Sequence, residues 1–129
     1  MNQFRTIIEL SQNHFYYNDN NSVYVLSLND NKYYVGLSSQ LNIRISNHLI
    51  NPSTKWVKNF PVMNIKCIIK NSNRLLENDL TLYLMNIYGW DNVRGGAWTK
   101  VIMDKPPNII KNKVFLIFDN IPTRIKKLF

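Results

Sequence analysis

One cysteine, few carboxylates and no long apolar run define what this chain lacks. The lone Cys67 excludes an internal disulfide and any cysteine-rich zinc site. Its apolar surroundings, Ile65 to Ile69, mark it as a small core residue of a strand. The first residues lack the apolar run of a signal peptide, and no stretch approaches transmembrane length. A soluble, intracellular protein with no membrane partner is expected. Acidic residues number 8 against 16 Lys and Arg, giving a formal net charge of +8. Such a balance favours polyanionic partners. The scarcity is local as well as global, since no carboxylate lies between Asp30 and Glu77. That window carries Lys32, Arg44, Lys55, Lys58, Lys66, Lys70 and Arg74, interleaved with Trp56 and Phe60, and reads as a phosphate-facing groove. Asp104 and Asp119 alone dilute a second basic stretch from Lys100 to Lys127.

The length of 129 residues fits one domain. There is no internal repeat and no long linker. Residues 1–21 hold one apolar patch (Phe4, Ile7, Ile8, Leu10) and read as a short packed segment. Ser22 to Leu28 and Lys32 to Leu37 are rich in β-formers, and Asn29-Asp30-Asn31 between them is a turn signal, so a hairpin is expected. With those three residues as the loop, Tyr24 opposes Gly36 and Leu26 opposes Tyr34. Alternation then puts both tyrosines on one face, with Gly36 leaving room beside Tyr24. Ser38 or Ser39 caps a helix that runs to about Leu49 and stops before Pro52, with Leu41, Ile45 and Leu49 as its buried stripe. Met63 to Lys70 reads as a buried strand. Asn73 caps a second helix that ends at Gly89, its apolar side formed by Leu76, Leu80, Tyr83, Leu84 and Ile87. Asn92 to Gly96 reads as a loop, Val114 to Phe118 as a further strand, and Thr123 to Phe129 as a short basic helix or tail. The order β-β-α-β-α predicts a small mixed α/β (α+β) domain, with a three-stranded sheet flanked by helices. Its core spans about 22–96, with extensions over 1–21 and 97–129.

The polar residues on this frame form a set. Arg44 and His48 lie one helical turn apart on the same face. Glu77 sits early in the second helix and Asn92 in the following loop. Phenols, a guanidinium, an imidazole, a carboxylate and an amide are together the groups that a metal-assisted phosphodiester hydrolysis uses. Taken singly, each has an ordinary structural role: strand tyrosines pack, an arginine solvates, a histidine joins a core, a first-turn acid meets the helix dipole. The ordered combination is the informative signal. Ser22-Val23-Tyr24 and Tyr34-Val35-Gly36, then Arg-x-x-x-His, then Glu, then Asn, resemble the GIY-YIG nuclease domain. The resemblance covers about residues 22–96 and includes the Asn92-Val93-Arg94-Gly95-Gly96 segment. Ser22 stands where the first triplet of that family has glycine, and Val23 and Val35 replace isoleucines.

The resemblance implies an endonuclease that cuts DNA, double-stranded or branched, with one Mg²⁺ or Mn²⁺ held by Glu77. Arg44 would bind the scissile phosphate, and Asn92 would bond near the metal or the backbone and hold its loop. Tyr24 is the candidate general base, with His48 taking its proton and Tyr34 orienting the water or bonding the phosphate. The two tyrosine roles can be exchanged. A phenol has a reference pKa near 10, so its phenolate costs roughly 4 kcal/mol at pH 7. His48, with a reference value of about 6.5, is the group that can relieve it. Lys32, Lys55, Lys58, Lys70, Arg74 and Arg94 are the candidate nucleic-acid contacts. Trp56 and Trp98 would either stack on bases or pack in the core. The chain after Gly96 is short for a separate DNA-recognition module, which favours a stand-alone nuclease of restriction, repair or recombination type. Specificity would then come from the basic extensions, a homodimer or a targeting partner. Two alternatives keep the charge and drop the chemistry: a non-catalytic nucleic-acid-binding module of the same ancestry, and a basic RNA-associated protein.

Overall fold

The computed structural model describes residues 5–129. Five strands are present among the described residues: β1 (Thr6–Glu9), β2 (Tyr17–Leu28), β3 (Lys32–Ser38), β4 (Val62–Ser72) and β5 (Val93–Gly95). The helices are α1 (Leu41–Ile50), α2 (Lys55–Asn59), α3 (Arg74–Tyr88), α4 (Asn108–Lys111) and α5 (Thr123–Lys126). The strands form one mixed sheet in the order β1-β4-β2-β3-β5. β2 is antiparallel to both β3 and β4, while the edge strands β1 and β5 run parallel to β4 and β3. The fold is thus a mixed α/β domain. No described helix is long and apolar enough to cross a membrane.

The hairpin has the register expected from its turn, with Tyr24 opposite Gly36 and Leu26 opposite Tyr34. Asp30 and Asn31 turn the chain with φ of 62° and 57°, the left-handed conformation that Asp and Asn enter most readily among side-chain-bearing residues. Ser22 pairs with Ser38 on one side and with Lys70 on the other, where it directly follows an irregularity in the β2–β4 register. Alternation along the strands then sorts the core into two clusters. Val23, Val25, Val35, Cys67 and Ile69 face α3 (Leu76, Leu80, Leu84) and the C-terminal residues Phe118, Ile121 and Ile125. Tyr24, Leu26, Leu28, Tyr34 and Ile68 face Ile45 of α1 and Trp56 and Val57 of α2. Cys67 is buried as expected, and burial pushes its thiol up to about 12. Tyr16 ties the N-terminal segment to α3 by donating to Asp79 Oδ2 at 2.7 Å.

Several expectations need correction. The sheet has five strands, not three, because two short parallel edge strands pair with distant partners that local pattern does not reveal. β1 lies within the N-terminal patch, where Leu10 is buried but Ile7 is exposed; Phe4 is outside the described residues. β5 occupies the expected loop after Asn92. Val114 to Phe118 is not a strand: Leu116–Asn120 forms a 3₁₀ turn that buries Phe118 and leaves Val114 and Leu116 exposed. Phe118 packs instead against the rings of Tyr83 and Phe115. In α1 the buried positions are Ile45 and His48, and Leu49 is 57% exposed, so the helix meets the sheet through the i, i+3 pair. Ser38 does not cap α1; its Oγ accepts from the Gln40 N–H in the preceding turn. Ile87 is exposed near the end of α3. Asn73 does cap α3, accepting from the Leu76 N–H at 3.0 Å.

Candidate active site

The strand face that carries Tyr24 and Tyr34 is roofed by α1, and His48 projects from α1 between the two phenols. The His48 ring lies 5.7 Å from that of Tyr24 and 5.2 Å from that of Tyr34, centre to centre. The two phenol rings are 6.3 Å apart. Tyr24 Oη and His48 Nε2 share a buried hydrogen bond of 2.8 Å. Gly36 makes this geometry possible, since a Cβ there would lie 2.2 Å from Tyr24 Cζ and 2.3 Å from its oxygen. Gly36→Ala is therefore expected to displace the Tyr24 ring and break its bond to His48. Stability should fall by about 1–3 kcal/mol, as for other overpacked core sites, measured by denaturant melting.

Burial sets the protonation states. It pushes the Tyr24 phenol well above its ordinary value, assisted by Tyr34 and opposed by the charge of Arg44. It raises Tyr34 as well, against the influence of the Thr54 hydroxyl. It lowers His48 to about 4, with Arg44 next in effect. Loss of solvent at the α1–sheet contact is thus the larger cause, ahead of the Arg44 charge one turn away. At neutral pH the pair is a neutral phenol bonded to a neutral imidazole. Arg44 itself is exposed, and its field reaches Tyr24, Tyr34, His48 and Glu77. Tyr24, Tyr34 and His48 form one ring cluster, with Arg44 and Glu77 near enough to act on it electrostatically.

Glu77 lies in the first turn of α3 and is nearly buried. Burial raises its carboxyl pKa, opposed by Arg74, by the Gly96 N–H and by Arg44. Arg74 Nη1 stands 3.4 Å from Glu77 Oε1. The contact of Gly96 with the acid shows how the two glycines act. Gly95 and Gly96 have φ of 148° and 51°, and a Cβ at Gly96 would collide with Asn78 Oδ1 at 2.2 Å. That oxygen accepts from the Ala97 N–H at 3.0 Å. Asn78, which sequence reasoning missed, thus pins the glycine turn against the acid; its position beside Glu77 in the sequence was the available signal. Thr54 was missed too, lying between Pro52 and α2 in a stretch read only for its charge.

Asn92 does bond the backbone, donating from Nδ2 to Tyr88 O at 2.8 Å, and it accepts from Lys32 Nζ at 2.7 Å. It fastens the end of α3 to the hairpin. Among the candidate nucleic-acid contacts, Lys55, Lys58, Lys70 and Arg74 are exposed and Lys32 is half-buried over Phe60. Arg94 is a correction. Its side chain is 0% exposed, and its guanidinium donates to the carbonyls of Trp90, Val93, Lys100 and Val101 and to Asp91 Oδ1. It also lies 4.4 Å over the Trp56 ring. No donor is left for phosphate, because the loop wraps its own carbonyls around the charge. Arg94→Gln should cost at least about 2 kcal/mol in a denaturant melt. Trp56 is likewise withdrawn from base stacking: it is buried and its Nε1 donates to Tyr33 O at 2.9 Å. Trp98 is half-buried against the core.

Among the described residues, no three His, Cys, Asp or Glu side chains converge as a ready-made metal cage. Glu77 is the carboxylate of this cluster. Comparison with known protein families, curated sequences and solved structures returns no match.

Proposed function

We propose that the chain is a metal-dependent endonuclease of the GIY-YIG type that hydrolyses DNA phosphodiester bonds. The observation that carries this reading is the buried Tyr24–His48 hydrogen bond, set within the field of Arg44 and close to a lone carboxylate. In the tautomer with the proton on Nδ1, Nε2 accepts from the Tyr24 hydroxyl. The attacking water gives a proton to Tyr24 Oη as Tyr24 passes its own to His48 Nε2. The water oxygen bonds to phosphorus, the bond to the leaving oxygen breaks, and that oxygen takes a proton from solvent. Neither Tyr24 nor His48 ionises alone, given the directions of their shifts. A phosphate bound at Arg44 offsets the charge that opposes imidazolium, so the relay is primed by substrate. Arg44 is exposed and offers a planar fork to the phosphate oxygens. Tyr34, at ring contact with His48, orients the water or the phosphate.

One carboxylate with hard oxygen donors fits a hydrated Mg²⁺ or Mn²⁺, whose other ligands are waters and phosphate oxygens. When bound at Glu77, the ion would supply charge neutralisation at the phosphoryl group. The chain's own contribution there is to hold the Glu77 carboxylate in the buried first turn of α3, with Arg74 beside it. Lys55, Lys58 and Lys70 would contribute salt-sensitive affinity without taking part in chemistry.

The test is incubation of the purified protein with supercoiled plasmid and Mg²⁺ or Mn²⁺, with a chelator control. Nicked or linear product that needs the ion is expected. Intact plasmid under all conditions would refute the reading.

A further inference from the structure

A second polar feature opens beside the tyrosine cluster. The start of α1 and the start of α3 border a cleft of about 360 Å³, lined by Asn21, Ser39, Gln40, Arg44, Asn47 and Arg74 among others. That size is in the lower range of small-ligand pockets. Two guanidinium groups line the cleft and no carboxylate does. Its remaining polar groups are amides and hydroxyls, which bond an anion without opposing its charge. The first turn of α1 has no side-chain cap, as Gln40 makes no capping bond. Its free N–H groups add to the positive potential at that end.

We infer that this cleft is a phosphate subsite that holds the nucleic-acid backbone phosphate next to the one at the Tyr24–His48 pair. Arg74 is its principal ligand. Only the identity of that neighbouring site rests on the nuclease reading. Arg44 lines the cleft and also acts on Tyr24 and His48, so the two positions are contiguous. Arg74 is available to move. Its side chain is 72% exposed, and its contact with Glu77 is a single long one of 3.4 Å between residues three apart on a helix. The Glu77 end is buried, but the contact is long and the guanidinium end stands in solvent, so the pair leaves most of Arg74's donors unused. A phosphate offers the guanidinium two short, charge-assisted bonds in its place. Arg74 thus rests against Glu77 in the free protein and turns to the strand when one enters.

The test measures binding without any divalent ion, so its outcome is separate from cleavage. A fluorescein-labelled short DNA strand is titrated with the full chain and followed by anisotropy. Arg74→Gln should weaken binding by about tenfold, the loss expected for a charged hydrogen bond. Asn47→Asp places a carboxylate in the cleft from an exposed helix position, leaves the Glu77 pair untouched, and should weaken binding at least as much. Lys127→Gln, away from the cleft, should change affinity less than twofold. Inorganic phosphate alone should bind more weakly than the strand. Unchanged strand affinity in both cleft variants would overturn the proposal. Tighter binding of inorganic phosphate than of the strand would overturn it too, by assigning the cleft to a free anion. If the protein fails to cut plasmid DNA, the nuclease reading falls, and the cleft is still decided by these titrations.

Discussion

Replacing Glu77 by Gln should abolish ion-dependent cleavage while changing DNA affinity by no more than a few-fold. The substitution keeps the side chain's size in a nearly buried position. What is lost is the negative charge, which is what a hard cation requires of a protein ligand. Arg74 loses its partner at 3.4 Å and becomes freer to meet phosphate, so affinity has no reason to fall. Cleavage is read from nicked plasmid at saturating Mg²⁺, and affinity from anisotropy without the ion. Near-normal turnover in this variant would remove Glu77 from the site.

Tyr24→Phe is expected to cost at least about 10²-fold in rate, the size associated with a positioned acid–base group. The fold should persist, because the ring still fills its place over Gly36 and beside Tyr34. Only the oxygen bonded to His48 is removed. Tyr34→Phe is the informative companion, since Tyr34 also lies against His48 but shares no hydrogen bond with it in this arrangement. A larger loss in Tyr34→Phe than in Tyr24→Phe would exchange the two roles.

The parts of this arrangement that were legible in the sequence are those set by local chemistry. The turn at Asn29-Asp30-Asn31 fixes the hairpin register, and the register places Tyr24 over Gly36. Helical periodicity puts Arg44 and His48 on one face, and the Asn73 cap locates Glu77 in the first turn of α3. What was not legible depends on distant pairing. β1 and β5 are too short to show a pattern, and each is defined by a parallel neighbour far along the chain. Arg94 reads as a surface cation until the carbonyls of its own loop are seen to surround it. α2, between Pro52 and Pro61, is too short at five residues to show a helical period, although Trp56 and Val57 anchor it to the core. Asn78 acts through the backbone of a turn whose path follows from Gly95 and Gly96, and that path is visible only once they are folded.

The proton path is tested most directly by the single-turnover nicking rate as a function of pH, for wild type and His48→Ala, at two concentrations of Mg²⁺. The relay needs neutral imidazole, and the folded protein lowers His48 from 6.5 to about 4. The neutral form is therefore the abundant one well below the reference value, and protonation removes the acceptor only as pH falls toward 4. Wild type should hold its plateau through about pH 6 and lose activity in stronger acid. That limb should stay in place when Mg²⁺ is raised, because it belongs to the imidazole and not to the Glu77 carboxylate. His48→Ala should be slower by about 10²-fold and should lack the limb. A variant that keeps both the rate and the acid limb would contradict the account, leaving His48 as a packed residue of α1 and solvent as the proton acceptor.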